Sequence, residues 1–432
     1  MADNDFLTIR QAMEQGEGNV SLRGWIYRER GSKKLRFIVL RDVSGIIQCV
    51  FSKESLGEEK FNELSELQIE TSVEIKGSIK PDERAPTGYE VQGESFKVIG
   101  SSDQFPIQKD QSQELLNDQR HLWLRSRYMT SILKIRHTVF GAIHEYFRNN
   151  GFYEFHSPIF QPTQSEGGSE VFEVKYFDSK VYLAQTWQLQ AEAGIFGLEK
   201  IYTIAPSFRA EKSKTSRHLT EYWHAEMEAA WLSFKELQDH SEEMLKHIIK
   251  KVLEENEEEL EELKRDTSVL RTALDNDFVR MTYTEALKIL EENVGMKVEW
   301  GEDLRTLEED ALTKLYDEPV IVTHYPKKVK AFYMTEAENE TVLGMDVLAP
   351  EGYGEIIGGS QREEDIGEIK KRLEEQGENP EDYNFYLDTR RYGSIPHSGF
   401  GLGVERVITW ICGLDNIRDA IPFPRTTVRS YP

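Results

Sequence analysis

Apolar residues between 19 and 100 fall in five short runs that are separated by turns. The runs are VSLRGWIY, RFIVLRD, IIQCVF, SVEIKGSIK and YEVQGESFKVIG, and β-branched and aromatic residues are frequent in them. Five strands of this length within about eighty residues suit a small closed barrel of the OB type, which binds oligonucleotides on one face. We therefore predict an N-terminal OB-fold barrel over residues 1–103.

The pattern changes after residue 103. Residues 104–126 are polar and show no sustained period, which indicates a hinge or linker. A helical pattern begins at residue 127 and closes at Gly151, and residues 235–265 carry apolar residues on one helical face and acidic residues on the others. Strands and glycines return before a final helix, GVERVITWICGLDNI. We predict an α+β fold in which residues 127–432 form a large domain, with an acidic helical segment over about 233–320.

Charge adds a complication, because 53 basic and 77 acidic residues give a net charge of −24. An acidic chain is a poor partner for nucleic acid, but most of this excess lies in residues 231–320 and 363–382, which we expect to form a solvated surface. Residues 21–41 carry seven basic residues and one acidic residue, together with Trp25, Tyr27 and Phe37. Cations and rings suit phosphates and unstacked bases. Residues 21–41 could therefore bind single-stranded nucleic acid. Alternatively, their basic side chains could simply keep the edge of a strand solvated.

Several classes of protein are excluded by what the sequence lacks. No apolar run approaches the ~18 residues of a membrane span, and the start MADNDFLTIRQ lacks the basic and apolar regions of a secretion signal. Cys49 and Cys412 form no CxxC pair, so the sequence suggests neither a disulfide framework nor a cysteine zinc site. We expect a globular protein of the reducing cytoplasm.

The segment SFRAEKSKTSRHLTEYWHAEMEAAW is a candidate for binding a polyphosphate. Arg209 and Glu211 share one face of an alternating strand, a loop with Arg217 and His218 follows, and a second strand carries carboxylates. Such a hairpin could hold a triphosphate, although a charged surface hairpin has the same composition.

Two further segments carry candidate chemistry. Three glycines precede a helix that begins with Glu405 and Arg406, where a guanidinium could meet a phosphate, but neither a P-loop nor a GxGxxG motif is present. Asp346 and Glu355 are hard oxygen ligands suited to Mg²⁺, and each would more often be a surface residue. The loop TQSEGGSEVF could form a mobile lid or an ordinary turn.

Taken together, these segments resemble the class II aminoacyl-tRNA synthetases of the aspartyl, asparaginyl and lysyl subgroup over nearly the whole chain. GFYEFHSPIF, with Pro158, resembles motif 1, through which these enzymes form homodimers. FRAE…RHLTEYWHAEME resembles motif 2, and GFGLGVERV resembles motif 3. The resemblance implies an OB anticodon-binding domain, an antiparallel sheet flanked by helices, and ATP bound in a bent form with Mg²⁺.

The resemblance also implies roles for matched residues, with Arg209, Arg406 and Glu355 as the catalytic ones. Arg209 would touch the α-phosphate and the amino-acid carboxylate, and Arg406 would clamp the γ-phosphate. Glu355, with Asp346, would hold the metal, and Gly358 stands where aspartyl members often have a serine. The ATP site would include Glu211 on the adenine amino group, Tyr222 stacked on adenine, Arg217 and His218 at the outer phosphates or the acceptor end, and Leu219 and Gly403. Glu166 and Gln188 would receive the α-ammonium group.

Three positions favour asparagine over aspartate as the amino acid. Ala191 stands where aspartyl members carry a lysine for the substrate carboxylate, and Glu226 replaces their aspartate. Glu226 could accept the amide N–H while Arg362 donates to the amide oxygen. A second buried negative charge beside Glu226 would cost free energy. The resemblance is therefore to asparaginyl enzymes of the short archaeal and eukaryotic type.

In the barrel, the resemblance places Phe37 on the central anticodon base, with Arg30 and Gln48 beside it. The expected activity is ATP-dependent attachment of L-asparagine to tRNA(Asn). The alternatives are an aspartyl enzyme, an asparagine synthetase derived from this scaffold, and a non-catalytic RNA-binding relative.

Overall fold

Two units, Met1–Leu116 and Asn117–Pro432, divide the chain in the computed structural model, which describes residues 6–108, 110–165, 171–212 and 215–432. The division falls within the segment predicted as a linker. That segment also contains two short helices that the sequence pattern did not indicate, Gln113–Asp118 and Arg120–Trp123.

The described strands are the following: β1 (Gly18–Gly31), β2 (Leu35–Arg41), β3 (Ile46–Ser52), β4 (Ser72–Pro81), β5 (Tyr89–Gly100), β6 (Tyr153–Glu154), β7 (Phe160–Gln161), β8 (Glu173–Tyr176), β9 (Ser179–Leu183), β10 (Lys200–Phe208), β11 (Glu221–Ala230), β12 (Val279–Thr282), β13 (Val320–Thr323), β14 (Glu336–Ala337), β15 (Thr341–Val342), β16 (Gly344–Ala349), β17 (Gly354–Gln361) and β18 (His397–Gly403).

The described α-helices are the following: α1 (Ile9–Gln15), α2 (Lys53–Leu56), α3 (Glu58–Glu66), α4 (Gln113–Asp118), α5 (Arg120–Trp123), α6 (Arg127–Asn149), α7 (Gln188–Leu198), α8 (Phe234–Glu255), α9 (Glu257–Glu262), α10 (Ser268–Asp275), α11 (Tyr283–Ile289), α12 (Thr306–Thr313), α13 (Ile366–Glu375), α14 (Asn384–Arg391) and α15 (Val404–Cys412).

The first unit is a closed barrel with the strand order β1-β2-β3-β5-β4. Its strands pair antiparallel except for β3 and β5, which run parallel. Alternate residues point inward, among them Leu22, Ile38 and Ile75, and Ile9 of α1 and Leu64 of α3 pack against the same core. The predicted OB-fold barrel is therefore confirmed.

The second unit is built on an eight-stranded sheet with the order β12-β13-β16-β17-β18-β11-β10-β6. The six central strands pair antiparallel, as expected. Both edge strands differ from that expectation, since β12 pairs parallel to β13 and β6 pairs parallel to β10. Parallel neighbours need a crossover, and the helices α11–α12 and α7 lie in the two connections.

Helices cover the sheet with the apolar faces that their sequences predict. α6 begins at the N-cap Ser126 and buries Ile132, Val139 and Ile143 along one face. The helix predicted over 235–265 divides at Asn256 into α8 and α9, because Asn256 leaves the helical conformation. α15 ends at Gly413, whose φ of 67° is left-handed and favours glycine. Among the described helices, none is long and apolar enough to cross a membrane.

Candidate active site

A cavity of about 560 Å³ opens on the face of the large sheet formed by the ends of β10, β11, β17 and β18. The sheet register explains why residues distant in sequence meet there, since His224 on β11 lies opposite Gly403 on β18. The lining includes nine residues named from the sequence as ATP-binding: Arg209, Glu211, Arg217, His218, Leu219, Tyr222, Glu355, Gly403 and Arg406.

Arg406 and Glu355 form an ion pair in this cavity. Arg406 Nη1 donates to Glu355 Oε2 and to its backbone oxygen, each at 3.0 Å. Burial by itself would raise the pKa of Glu355, but Arg406, Lys330 and Arg209 outweigh it and hold the pKa at about 2. Glu355 is therefore ionised at every physiological pH.

The strands β10 and β11 contribute the opposite wall. The Arg209 guanidinium lies 5.8 Å from the centre of the Tyr222 ring and 3.8 Å from a Glu211 oxygen. His218 Nε2 lies 3.5 Å from Glu211, while burial and the nearby Arg406 lower the pKa of His218. Leu219 packs beside Tyr222 and forms an apolar patch. The wall thus offers a ring, a cation and an apolar surface.

Arg217 makes contacts that the sequence reasoning did not anticipate. Its Nη2 donates to Asp310 Oδ1 at 3.0 Å and to the Gly352 carbonyl, and its Nη1 lies 3.6 Å from Glu309. Glu309 lies in the acidic segment that we expected to be solvated. Instead its carboxylate accepts from the Glu355 amide, and burial together with the charge of Glu355 raises its pKa to about 7. That expectation is wrong for Glu309.

The carboxylates of Asp346 and Glu355 form a pair suited to a cation. Asp346 Oδ2 accepts from Lys330 Nζ at 2.7 Å, and burial raises the pKa of Asp346 to about 6 against the effect of Lys330. A Cβ placed on Gly358 would lie 3.2 Å from Glu355 Oε1 and 3.5 Å from Asp346 Oδ1. Hard oxygens around a space that glycine leaves open fit Mg²⁺ and a coordinating water.

A second cavity, of about 520 Å³, shares Arg209 and Glu355 with the first. Its lining includes Gln188, Glu226 and Arg362, all named from the sequence as amino-acid-binding. One guanidinium therefore faces both cavities, as joining two substrates requires.

Glu226 and Arg362 are held in place by different partners. Glu226 accepts hydrogen bonds from the Thr186 hydroxyl and, at 3.0 Å, from the Trp187 amide. Arg362 donates from Nε and Nη2 to the two oxygens of Glu228, at 3.0 and 2.9 Å, and from Nη1 to Ser360. Glu228 was not among the predicted amino-acid-binding residues. These described contacts use three of the five N–H donors of Arg362.

One predicted amino-acid-binding residue is absent from the described lining of this cavity, and another cannot be placed. Ala191 is absent from the described lining and is fully buried, in an apolar cluster with Trp187, Ile195 and Ile201. Helix α7 turns that position toward the core, and the assignment of Ala191 as an amino-acid-binding residue stays a prediction. Glu166 lies outside the residues that the structure describes.

The three residues predicted to contact the anticodon meet on β1, β2 and β3 of the barrel. Arg30 lies opposite Phe37 in the register, and its guanidinium is 5.2 Å from the ring centre. Arg30 Nη2 donates to Gln48 Oε1 at 3.2 Å, and Gln48 Nε2 donates to Glu90 at 2.8 Å. Gln48 is only 5% exposed, and its amide connects Arg30 to Glu90.

The region around Pro158 exposes large apolar side chains. Tyr153, Phe160 and Phe177 are 60%, 50% and 80% exposed, and Phe160 packs against Tyr176 with ring centres 5.9 Å apart. Pro158 is itself exposed. Contiguous apolar surface of this kind is typical of an interaction site.

Comparison with known proteins gives consistent results for both units. The sequence profile of the tRNA synthetases class II (D, K and N) matches residues 112–427, and that of the OB-fold nucleic acid binding domain matches residues 20–99. The asparagine–tRNA ligases of Thermoplasma acidophilum and Thermococcus gammatolerans are each 50% identical, over 96% of both chains. The asparaginyl-tRNA synthetase of Pyrococcus horikoshii, solved with asparaginyl-adenylate, is 45% identical over both full chains, with a TM-score of 0.96.

Proposed function

The chain belongs to the class II tRNA synthetases of the D, K and N group, and on that premise we propose that it attaches L-asparagine to tRNA(Asn). The reaction has two steps, in which ATP and asparagine form asparaginyl-adenylate with release of diphosphate, and the asparaginyl group then passes to tRNA with release of AMP. The similarity to asparagine–tRNA ligases over nearly the whole chain supports this activity.

Arg209 is the residue that we assign to the reacting atoms. In the first step the amino-acid carboxylate attacks the α-phosphorus in line, so negative charge must be neutralised on both substrates. Arg209 lines both cavities and can meet the carboxylate and the α-phosphate together. The step needs no side-chain nucleophile, because the attacking group belongs to the substrate.

The remaining residues of the first cavity would position ATP. Tyr222 would stack on adenine and Glu211 would accept from its amino group, beside the apolar Leu219. Arg406 would contact the γ-phosphate near Gly403, and Arg217 and His218 would contact the outer phosphates or the acceptor end of tRNA. Mg²⁺, which Glu355 and Asp346 would hold, supplies further neutralisation of phosphate charge when bound.

The choice of asparagine rests on one observation, the pairing of Arg362 with Glu228. Because this carboxylate already balances the guanidinium, the two remaining donors of Arg362 suit a neutral amide oxygen, and Glu226 can accept the amide N–H. An aspartate side chain would bring an unpaired negative charge beside Glu226, which costs several kcal/mol in a buried site. Gln188 would accept from the α-ammonium group, with Glu166 as a second acceptor.

The barrel would read the anticodon of tRNA(Asn). Phe37 is partly exposed and can stack on a splayed base, while the exposed Arg30 adds a cation at the same place. Gln48 lies beside them, and its amide would both donate to and accept from the edge of that base.

We also propose a homodimer and a cytoplasmic location. A second copy of the chain would cover the exposed Tyr153, Phe160 and Phe177 around Pro158. Cys49 and Cys412 are buried free thiols, which suits a reducing compartment. Burial raises the pKa of both thiols, so they are poor nucleophiles.

The test is ATP–diphosphate exchange with Mg²⁺, in which asparagine, aspartate and lysine are compared. Asparagine should drive exchange and aspartate should not. Faster exchange with aspartate would contradict the specificity, and no exchange with any of the three would contradict enzymatic activity.

A further inference from the structure

A buried cluster of charged side chains lies behind the amino-acid cavity. Glu192 comes from α7, Glu228 from β11, Arg362 from the end of β17, Arg390 from α14 and His397 from the start of β18. All five are 5% exposed or less. Ionisable groups are retained in such a position only when they compensate one another.

Glu192 connects the two residues that we assign to opposite ends of asparagine. Its Oε1 accepts from Gln188 Nε2 at 2.9 Å and lies 3.8 Å from Arg362 Nε. Its Oε2 accepts from Arg390 Nη2 at 2.6 Å and lies 3.0 Å from His397 Nε2. Although burial would raise the pKa of Glu192, Arg390 and His397 hold it well below its usual range. Glu192 is thus an ionised acceptor that is surrounded by donors.

His397 faces an acceptor on each side of its ring. Its Nδ1 lies 2.7 Å from the Ile395 carbonyl oxygen, and its Nε2 lies 3.0 Å from Glu192. A neutral imidazole carries one N–H, so one of these contacts would set two lone pairs against each other. Both contacts are favourable only if both nitrogens carry hydrogen. His397 also accepts from the Arg362 amide through its backbone oxygen, at 3.0 Å.

The wall behind the cavity is built from opposite charges in contact. Arg362 pairs with both oxygens of Glu228, and Arg390 pairs with Glu192. Neither guanidinium is therefore a surplus cation that would attract an aspartate side chain.

Resting on the proposed function, we infer that His397 donates from both ring nitrogens, to the Ile395 carbonyl oxygen and to Glu192. Together with Glu192 it positions Gln188 and Arg362 for a neutral amide substrate. Both are positioning residues, since they act on asparagine through their neighbours.

A metal site is the competing interpretation, because Glu192, Glu228 and His397 each offer an atom within 4.8 Å of the others. The contacts favour the ion network. Both Glu228 oxygens accept from Arg362, and Glu192 Oε2 accepts from Arg390 at 2.6 Å. A cation would have to displace these guanidinium groups.

Neutron diffraction from crystals of the whole protein grown in D₂O at neutral pH tests the protonation directly and needs no variant. We expect deuterium on both Nδ1 and Nε2 of His397. Deuterium on one nitrogen only, or a metal ion at this position, would overturn the inference. This result does not depend on the enzyme's substrate, so it remains informative if exchange with asparagine fails.

Kinetics test the positioning role with Glu192→Gln, His397→Gln and the double variant. Loss of a buried charged hydrogen bond should raise the KM for asparagine roughly ten- to hundredfold in each single variant. The KM for ATP should stay within about twofold. Since the two charges compensate each other, the double variant should lose less than the product of the single effects.

His240→Gln is the matched control, because His240 also bonds through Nδ1, to the Tyr146 hydroxyl at 2.7 Å, but contributes nothing to the described lining of either cavity. It should leave both KM values unchanged. Equal rises in the KM for asparagine and for ATP, or effects that multiply in the double variant, would indicate a merely structural role and contradict the inference.

Discussion

Replacing Arg362 by lysine tests how the cavity recognises an amide. Arg362 donates to both oxygens of Glu228 and to Ser360, and it keeps two donors for the substrate. Lysine retains the charge but carries its three donors on one atom. It therefore cannot donate to both oxygens of Glu228 and also reach the amide oxygen of the substrate. The variant therefore changes geometry without changing net charge.

The expected loss follows from the number of contacts. Two hydrogen bonds from the charged guanidinium to the neutral amide oxygen, at about 1.5 kcal/mol each, amount to about 3 kcal/mol, which is about a 150-fold fall in kcat/KM for asparagine. Diphosphate exchange at varied asparagine and varied ATP measures it. The KM for ATP should hardly change, because Arg362 lies in the amino-acid cavity.

Arg41→Lys is the matched control, since Arg41 makes a similar two-pronged pair with Glu70, at 2.8 and 2.9 Å, in the barrel. It should leave exchange intact. A fall of less than about threefold in Arg362→Lys would refute the assigned role, since one charged hydrogen bond alone is worth more than that.

Three further predictions concern the other parts of the protein. Phe37→Ala should reduce tRNA charging roughly ten- to hundredfold through lost stacking and leave exchange intact, and equal losses in both assays would contradict the barrel assignment. Chelation of Mg²⁺ should abolish exchange, and Glu355→Gln should lower it by about 10² to 10³; exchange that persists in chelator would contradict the metal site. In the folded protein the pKa of Glu309 is raised from 4.5 to about 7. The stability that the protonated carboxyl contributes is therefore present below pH 4.5 and is lost as the pH rises through 7. In urea unfolding without metal, the free energy of unfolding of Glu309→Gln should rise relative to that of the parent by up to about 3 kcal/mol between pH 5 and 8. A difference between the two proteins that does not change with pH would contradict this.

The barrel and the hairpin residues could be predicted from sequence because their signals are local. Alternating apolar positions define β1 to β5, and β10 pairs antiparallel with β11, the next long strand, which brings Arg209 and Tyr222 together. Glu355 and Arg406 were also expected in the site, although from the resemblance rather than from their own spacing.

The residues that tune the site could not be predicted in this way. Lys330 pairs with Asp346 across the connection to β16, and Glu309 reaches Glu355 from α12. Neither has a local pattern, because each partner is supplied by tertiary packing. Glu309 could not be distinguished in the sequence from the other acidic residues of its segment, which have the pattern of a solvated surface. A matched position such as Ala191 also does not reveal which way a helix turns, and Ala191 lies in an apolar cluster.

The most direct test of asparagine recognition is a competition for one tRNA. Purified protein, transcribed tRNA(Asn), ATP and Mg²⁺ are mixed with equal concentrations of asparagine and aspartate, and the aminoacyl group on the terminal adenosine is identified by mass spectrometry. The charge balance around Arg362, Glu228 and Glu226 predicts asparaginyl-adenosine as the product. Aspartyl-adenosine in comparable or greater amount would contradict the account.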